Sequence, residues 1–221
     1  FDAVGPLKSA GVKVLCTATT VEEARALERA GVDAIIAQGW EAGGHRGSFA
    51  INADDSGVGL FALIPQIRDA VTVPVIAAGG IADGRGIAAA FALGADGVQI
   101  GTAFLLCPEA APSPAHRAAV RSGSEADTRL TLAHSGRPAR ARRTPYIDAM
   151  AQDRTPLPDF PVMYGLSAPL QRAAAERGDD DCQFLLYGQS AALAREMPAG
   201  ALVEKLAAEG LAACAALGRA G

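Results

Sequence analysis

The stretch AQGWEAGGHRG at residues 37–47 places one carboxylate, one imidazole and one guanidinium among four glycines. A tight turn needs only one or two glycines, so this composition clears side chains from around a single titratable ring. His45 carries that ring, and its ordinary pKa of about 6.5 allows proton exchange near neutral pH. Gln38 ends the preceding apolar run and can turn its amide toward a polar ring edge. We therefore predict that His45 exchanges a proton and that Gly43 leaves room for a flat ligand.

The two charged neighbours of His45 each admit two interpretations. Glu41 can hold the loop through backbone N–H groups, or it can face solvent. Arg46 can attract an anion, or it can be a solvated side chain. The spacing of the residues favours neither alternative.

Two later segments, PVIAAGG (residues 74–80) and GVQIGT (97–102), both run from an apolar strand into glycine. Glycines at strand ends allow a phosphate to approach backbone N–H groups that a Cβ atom would block. In βα barrels, the loops after the last two strands commonly form such a site. We expect a phosphate cradle at Gly79, Gly80, Gly101 and Thr102, with the Thr102 hydroxyl as a further donor. Glycines that merely turn a strand into a helix are the alternative.

Apolar strands and helical segments alternate from residue 12 to about residue 106, which indicates parallel βαβ units. Thr20 and Glu23 have capping-box spacing at the start of one helix. The strands are apolar throughout, which is typical of strands buried on both faces. Only four strands are convincing, whereas a (β/α)₈ barrel needs eight. The ligand-binding pattern of the loops favours the second half of such a barrel over an open sheet.

The strand signal disappears after residue 106, and residues 107–221 are predicted to be a mainly helical extension that covers the active-site side. Helices are expected near 166–177, 188–197 and 199–217. His116 is typical of a surface helix, and His134 reaches the site only if the extension folds over it. In GQSAALAR (188–195), Ser190 can cap a helix, or the small polar residues can line a pocket. An arginine cluster typical of a solvated loop that pairs with acidic neighbours comprises Arg137, Arg140, Arg142 and Arg143.

Composition excludes several classes of function. A formal charge of −4 gives no electrostatic reason to expect nucleic acid or an anionic membrane as a partner. The four cysteines stand far apart, without metal-ligand spacing, which predicts reduced thiols and no metal site. No apolar run approaches the ~20 residues that a membrane span needs, and no signal-peptide pattern opens the chain. We expect a cytoplasmic protein.

The glycine–histidine motif, followed by PVIAAGGIADGRGIAAAFALGADGVQIGTAFL, resembles the nitronate monooxygenases, once called 2-nitropropane dioxygenases, and particularly their class I. SGRPAR and LYGQSAALAR resemble the C-terminal region of that family. The resemblance implies an FMN-bearing TIM barrel that oxidises alkyl nitronates with O₂ to a carbonyl compound and nitrite. It also implies that this chain holds the C-terminal half of the barrel, about four βα units in residues 1–106. The first βα units would be supplied by a missing N-terminal segment or by a homodimer.

The resemblance also implies roles for individual residues. His45 matches the active-site histidine that takes an α-proton from neutral nitroalkanes, and a protonated His45, with Arg46 nearby, would favour nitronate binding. Tyr164 and Tyr187 are candidate pocket aromatics. The positions that match flavin-binding residues are Gln38, Gly43, Gly79, Gly80, Gln99, Ile100, Gly101 and Thr102.

Two rival functions remain open. The FMN-dependent enoyl-ACP reductases share the glycine–histidine loop and the AAGGIADG strand, although the arginine in GGHRG fits the monooxygenases better. The second rival is a truncated, non-catalytic half-barrel that binds flavin or phosphate. Reduction of bound flavin by NAD(P)H separates the first rival from the monooxygenase, and flavin loading separates the second.

Overall fold

The computed structural model describes residues 1–49, 57–153 and 155–218. Seven strands lie in these ranges: β1 (Leu15–Ala18), β2 (Ala34–Gln38), β3 (Gly44–His45), β4 (Val75–Ala78), β5 (Gly97–Gln99), β6 (Thr128–Thr131) and β7 (Ala139–Arg142). The same ranges contain eight α-helices: α1 (Val4–Ser9), α2 (Val21–Ala30), α3 (Leu60–Ala70), α4 (Gly84–Ala92), α5 (Pro114–Ser122), α6 (Pro145–Gln152), α7 (Val162–Glu176) and α8 (Ala199–Leu217).

Strands β1, β2, β4 and β5 form one parallel sheet in that order. Helices α2, α3 and α4 lie between successive strands of this sheet along the chain. The predicted α/β fold with parallel βαβ units is therefore confirmed. Within the described ranges the sheet is open, with β1 and β5 at its edges.

Helix α2 shows how local sequence sets these boundaries. The Thr20 hydroxyl accepts a hydrogen bond from the Glu23 N–H at 3.2 Å, as the capping-box spacing predicts. The Glu23 carboxylate, however, accepts from the N–H and hydroxyl of Thr19 rather than from Thr20. Gly31 ends the helix in the left-handed conformation, with φ of +86°.

The two faces of the parallel sheet differ in burial. Ile35 and Val75, on the face that packs against the helices, are completely buried. Ile36 and Ile76, on the opposite face, are only partly buried, and Leu15 in β1 is 48% exposed. The expectation that every strand is buried on both faces is therefore wrong. A continuous apolar strand sequence cannot say what covers each face.

The partly exposed face carries the polar ends of the strands. The register pairs Gln38 with Ala78, and Ala78 with Gln99. Paired residues point to the same face, so the two glutamines lie on either side of Ala78, about 10 Å apart at ~4.8 Å per strand. The carboxyl ends of β2, β4 and β5 thus meet at one edge of this face.

A second sheet joins the C-terminal part to the glycine loop. Strands β3, β7 and β6 are antiparallel in that order, and His45 pairs with Ala139. The expectation that no strands follow residue 106 is therefore wrong. β6 (TRLT) and β7 (ARAR) have four residues each and carry arginine, so neither has an apolar pattern that marks a strand.

The helices predicted near 166–177 and 199–217 correspond to α7 and α8. The helix predicted over 188–197 is wrong, because only a short 3₁₀ turn forms there, at Ala191–Leu193. The Gly188 N–H donates to Thr102 Oγ at 2.9 Å, and the Gln189 N–H donates to the Glu41 carbonyl at 3.0 Å. These long-range bonds hold the segment against the glycine loop instead of leaving it free to form a helix.

Helix α8 packs closely against α4. A Cβ atom on Gly84 would lie 2.2 Å from the Glu209 carbonyl carbon, so the two backbones meet at this glycine. Although α8 has 19 residues, the described ranges contain no helix long and apolar enough to cross a membrane.

Candidate functional site

A cavity of about 100 Å³ opens at the carboxyl ends of β2, β4 and β5. Every residue predicted to bind the cofactor lines it except Ile100. The lining residues are Gln38, Glu41, Ala42, Gly43, Ala78, Gly79, Gly80, Ile81, Gln99, Gly101, Thr102, Gly188 and Ser190. The predicted strand-tip glycines are therefore brought together, as the parallel register requires.

The glycines at the two strand tips leave the backbone bare. Gly79 and Gly80 have φ of +105° and +69°, conformations that residues with a Cβ rarely adopt. A Cβ atom on Gly101 would meet no other atom within 4 Å, so open space lies beside its backbone. In the described part of the chain, no acceptor is found for the N–H groups of Gly80 and Gly101. This arrangement suits an anionic group with several acceptor oxygens.

The segment around Gly188 forms the third wall of the cavity. A Cβ on Gly43 would lie 2.4 Å from the Gly188 nitrogen, so the glycine loop and this segment are in direct backbone contact. The Thr102 hydroxyl accepts from the Gly188 N–H, so one of its lone pairs is already in use. Gly188 and Ser190 line the cavity, which confirms the pocket-lining alternative for GQSAALAR.

Of the two alternatives for Glu41, the structure supports the one in which its carboxylate holds the loop through a backbone N–H group. Its two carboxylate oxygens accept from the Leu60 N–H at 2.9 and 3.0 Å. Leu60 is the first residue of α3, so the negative carboxylate lies at the positive end of a helix. Glu41 thereby fixes the glycine loop to α3.

Gln38 also holds the loop. Its amide nitrogen donates to the His45 carbonyl at 3.1 Å, and its amide oxygen accepts from the Gly47 N–H at 2.9 Å. These bonds use one N–H and one oxygen lone pair of the amide, so its contact with a ligand stays a prediction. The side chain still lines the cavity and sets the position of His45.

His45 lies two residues beyond Gly43, on strand β3. Its Nε2 lies 2.8 Å from Ser135 Oγ, and its ring meets Phe184 edge-on, with ring centroids 5.7 Å apart. The residue is exposed on its other side. Partial burial of the ring, and secondly the charge of Arg137, lower the pKa of His45 below 6.5. This shift favours the neutral imidazole, the form that a proton acceptor requires.

Arg46 and Arg140 both lie buried beside Trp40, at 5.3 and 5.6 Å from the indole ring. Arg46 donates to the Gly39 carbonyl at 2.7 Å, and Arg140 donates to the Trp40 carbonyl at 2.7 Å. Arg46 is therefore neither a solvated side chain nor turned outward to attract an anion. Burial and the neighbouring Arg46 charge lower the pKa of Arg140, while Glu41 opposes this change.

The other three arginines of the cluster have different partners. Arg142 and Arg143 form ion pairs with Asp180 and Asp148, as predicted for a solvated loop. Arg137 instead donates to the Ser48 carbonyl at 3.1 Å, beside the glycine loop. The prediction of a solvated cluster is therefore wrong for the buried Arg140.

The extension does bring His134 close to the site. The His134 ring is 1% exposed and stacks on Phe184 at 4.3 Å, and Phe184 in turn contacts His45. Neither ring nitrogen of His134 has a hydrogen-bond partner in the described part of the chain. Burial lowers the pKa of His134 to about 4.

His116 is also more than a surface residue, because its Nε2 lies 2.6 Å from the Leu186 carbonyl oxygen.

Three predicted side chains are not in the cavity. Ile100 packs on the apolar side of the sheet with Val98 and Phe104. Tyr187 is buried with Leu106 and Val120, and Tyr164 is 49% exposed on α7. The expectation that these two tyrosines are pocket aromatics is therefore not supported by their positions.

Sequence reasoning missed Ser135 and Phe184, which contact His45, and Trp40, which lies within the glycine loop and contacts Arg46. Ser135 begins SGRPAR, a segment that resembles the C-terminal region of the family but assigns no role to the serine. The one signal that could have found it is the glycine after it, since Gly136 has φ of +76° and marks a tight turn. The other two carried no signal beyond being aromatic.

Comparison with known proteins places these features in a family. A family model described as nitronate monooxygenase matches residues 2–209. The chain is 48% identical over 209 residues to a nitronate monooxygenase of Pseudomonas aeruginosa, covering 94% of this chain and 60% of that protein. It is 46% identical over 201 residues to a probable nitronate monooxygenase of Staphylococcus aureus, covering 90% of this chain and 57% of that protein. The chain thus spans less than two thirds of these relatives.

Solved structures agree with the sequence relatives. A nitroalkane oxidase from Streptomyces ansochromogenes superposes with a TM-score of 0.92 at 46% identity, covering 98% of this chain and 62% of that chain. FabK from Thermotoga maritima superposes with a TM-score of 0.80 at 37% identity, covering 96% of this chain and 65% of that chain. The family match over residues 2–209 and the two relatives at 46–48% identity show that this chain belongs to the nitronate monooxygenase family.

Proposed function

We propose that the protein is an FMN-dependent monooxygenase that oxidises alkyl nitronates, such as propionate 3-nitronate, with O₂ to a carbonyl compound and nitrite. The observation that carries this proposal is the position of the partly buried His45 imidazole, two residues from a glycine-lined cavity at three strand tips. Membership in the nitronate monooxygenase family supports it.

The cavity fits the phosphate end of FMN. The exposed N–H groups of Gly80 and Gly101 would donate to phosphate oxygens, and the open space beside Gly101 would admit them. The glycine loop at Gly43 and the two glutamine ends of β2 and β5 would border the rest of the cofactor. When bound, FMN supplies the electron-accepting chemistry, while the chain supplies position and electrostatics.

His45 acts as a general base toward neutral nitroalkanes. Because its pKa lies below 6.5, most of the imidazole is neutral at pH 7 and can accept an α-proton. For substrates that are already nitronates this proton transfer is unnecessary. The Arg46 guanidinium is bound to the Gly39 carbonyl within the loop and does not line the cavity.

The proposal also covers the architecture of the active protein. Residues 1–106 would be the C-terminal half of a (β/α)₈ barrel, and residues 107–221 an extension on the active-site side. A further segment or a second copy of the chain would complete the barrel. The open edges at β1 and β5 and the partly exposed face of the parallel sheet support this proposal. A cytoplasmic location fits the four unpaired cysteines.

The test is oxygen uptake and nitrite formation by the flavin-loaded protein with propionate 3-nitronate. We expect both to depend on the nitronate. A flavin-loaded protein that forms no nitrite would exclude the proposed reaction.

The similarity to FabK supports a second candidate, an FMN-dependent enoyl-ACP reductase. The two functions differ in their reductant, because a reductase must take hydride from NAD(P)H. Anaerobic addition of NADH separates them. The monooxygenase proposal predicts that the flavin absorbance persists, and rapid bleaching would favour the reductase.

Replacing Gly101 with alanine tests the phosphate cradle. The residue has φ of −109°, and its Cβ would meet no protein atom, so Gly101→Ala should fold normally. The methyl group would occupy the approach to the backbone N–H, and we expect FMN to bind roughly 10–100-fold more weakly. Fluorescence titration with FMN measures this change.

Gly200→Ala is the matched control, since a Cβ there also meets open space but lies in α8, away from the cavity. It should leave FMN affinity unchanged. Equal affinities in both variants and the parent chain would contradict the placement of the phosphate.

A further inference from the structure

The hydroxyl of Ser135 is the hydrogen-bond partner of the His45 ring. Ser135 is 1% exposed and lies in the turn between β6 and β7. Its Oγ is 2.8 Å from His45 Nε2, 3.2 Å from the Arg137 carbonyl oxygen and 3.3 Å from the Arg137 nitrogen. This buried hydroxyl therefore has three neighbours that compete for one proton and two lone pairs.

One arrangement of protons satisfies all three neighbours. A serine hydroxyl donates one proton and accepts at two lone pairs. If its proton goes to the Arg137 carbonyl and one lone pair receives the Arg137 N–H, the remaining lone pair must receive a proton from Nε2. The opposite arrangement, in which the hydroxyl donates to Nε2, leaves the Arg137 carbonyl without this donor. Hydrogen-bond saturation thus favours a proton on Nε2.

The turn that carries Ser135 is fixed relative to His45. His45 pairs with Ala139 across the antiparallel ladder, and the Arg46 N–H donates to the Pro138 carbonyl at 2.8 Å. Gly136 takes φ of +76°, and a Cβ on it would lie 2.4 Å from the Pro158 carbonyl oxygen. The backbone on both sides therefore holds the hydroxyl at one end of the imidazole.

We propose that Ser135 is a positioning residue that holds His45 in the tautomer protonated on Nε2, so that Nδ1 is the atom that accepts the substrate α-proton. In the described part of the chain, Nδ1 has no hydrogen-bond partner, whereas Nε2 is bound to Ser135. This inference rests on the proposed function for its substrate, although the tautomer itself is a property of the resting protein.

The proton transfer is balanced at these atoms. The substrate C–H bond breaks, its electron pair stays on the substrate as the nitronate, and the proton forms a bond to Nδ1. The resulting imidazolium keeps its Nε2–H hydrogen bond to Ser135 Oγ, and the Ser135 hydroxyl keeps its own proton, which it donates in a hydrogen bond to the Arg137 carbonyl. Ser135 can therefore stabilise the protonated ring without losing a proton of its own.

The charged surroundings of His45 come mainly from the same turn. Arg137 is the charged group that acts on the ring, and its positive charge opposes protonation. Phe184 carries no charge, and His134, which stacks on it, is buried in its neutral form near pH 7. Gln38, which donates to the His45 backbone, is neutral. Ser135 is thus the contact that favours the imidazolium.

The test is nitrogen NMR of the protein labelled with ¹⁵N at its three histidines, with His45→Asn to assign the His45 signals. Long-range ¹H–¹⁵N correlation reports which nitrogen carries the proton, without any substrate. We expect a protonated Nε2 in the parent chain and a mixture of tautomers in Ser135→Ala. A resting protein with the proton on Nδ1 would overturn the proposal, even if Ser135→Ala failed to fold.

Kinetics provide the second readout. Ser135→Ala should lower kcat/KM for neutral nitroalkanes roughly tenfold and move the acidic limb of the pH profile to lower pH. Ser135→Thr, which keeps the hydroxyl, should restore both. If the acidic limb of the kcat/KM profile lies at the same pH in Ser135→Ala as in the parent chain, Ser135 does not position the ring. If the protein forms nitrite but carries the His45 proton on Nδ1, the tautomer proposal alone is wrong. If the proton lies on Nε2 but no nitrite forms, the tautomer is confirmed and the proposed nitronate substrate is wrong.

Discussion

The variant His45→Asn is expected to lose about 10³-fold in kcat/KM for neutral nitroalkanes, because a positioned general base contributes roughly 10²–10⁴-fold. Flavin binding should persist, since the His45 side chain does not line the cavity. Asparagine also keeps a polar side chain opposite Ser135 Oγ. Steady-state nitrite formation from nitroethane, with flavin content measured on the same samples, checks this prediction.

Preformed nitronates supply the internal control for His45→Asn. Nitronates need no proton removal, so kcat/KM of the variant for these substrates should fall about tenfold or less. His116→Asn is the matched histidine control, because its ring contacts the Leu186 carbonyl and not the glycine loop. If His45→Asn lowered kcat/KM for nitroethane and for ethylnitronate by the same factor, proton abstraction by His45 would be ruled out.

The second large effect concerns stability in acid and depends on His134. Folding holds its ring neutral, with a pKa of about 4 against about 6.5 in an unfolded chain. Between these two values the unfolded state binds the extra proton, so the free energy of unfolding falls as the pH falls from about 6.5 to about 4. The difference in pKa corresponds to roughly 3 kcal/mol.

The variant His134→Phe removes this penalty while it keeps an aromatic ring against Phe184 and Tyr146. It also removes two buried nitrogens that lack partners in the described part of the chain. We expect the variant to be at least as stable at pH 7, and its advantage to grow by about 3 kcal/mol on going to pH 4. Urea unfolding at both pH values measures the gap, and parallel stability curves for the two proteins would show that His134 is not held neutral.

The cavity could be predicted from the sequence because it depends on local signals and on one general rule. Glycines after PVIAA and GVQI mark strand ends, and parallel strands bring their carboxyl ends to the same edge. Gln38, Gly80 and Gly101 therefore converge in the structure as expected. Only the family resemblance indicates Ile100 as a cofactor-binding residue, and its side chain points to the opposite face of the sheet.

The surroundings of His45 could not be predicted because they depend on contacts between distant residues. Ser135 meets His45 across 90 positions of sequence, through strands too short and too polar to recognise. Burial of Arg140 depends on a bond to the Trp40 carbonyl 100 positions away. Likewise, bonds from Gly188 to Thr102 prevent a helix that local propensity favours.

We propose that bare backbone amides at the tips of β4 and β5 bind the phosphate of FMN. The most direct measurement compares the dissociation constants of FMN and riboflavin, which differ only in that phosphate. Two charge-assisted hydrogen bonds predict that FMN binds at least about 100-fold more tightly. Equal dissociation constants for the two flavins would show that these amides do not bind the phosphate.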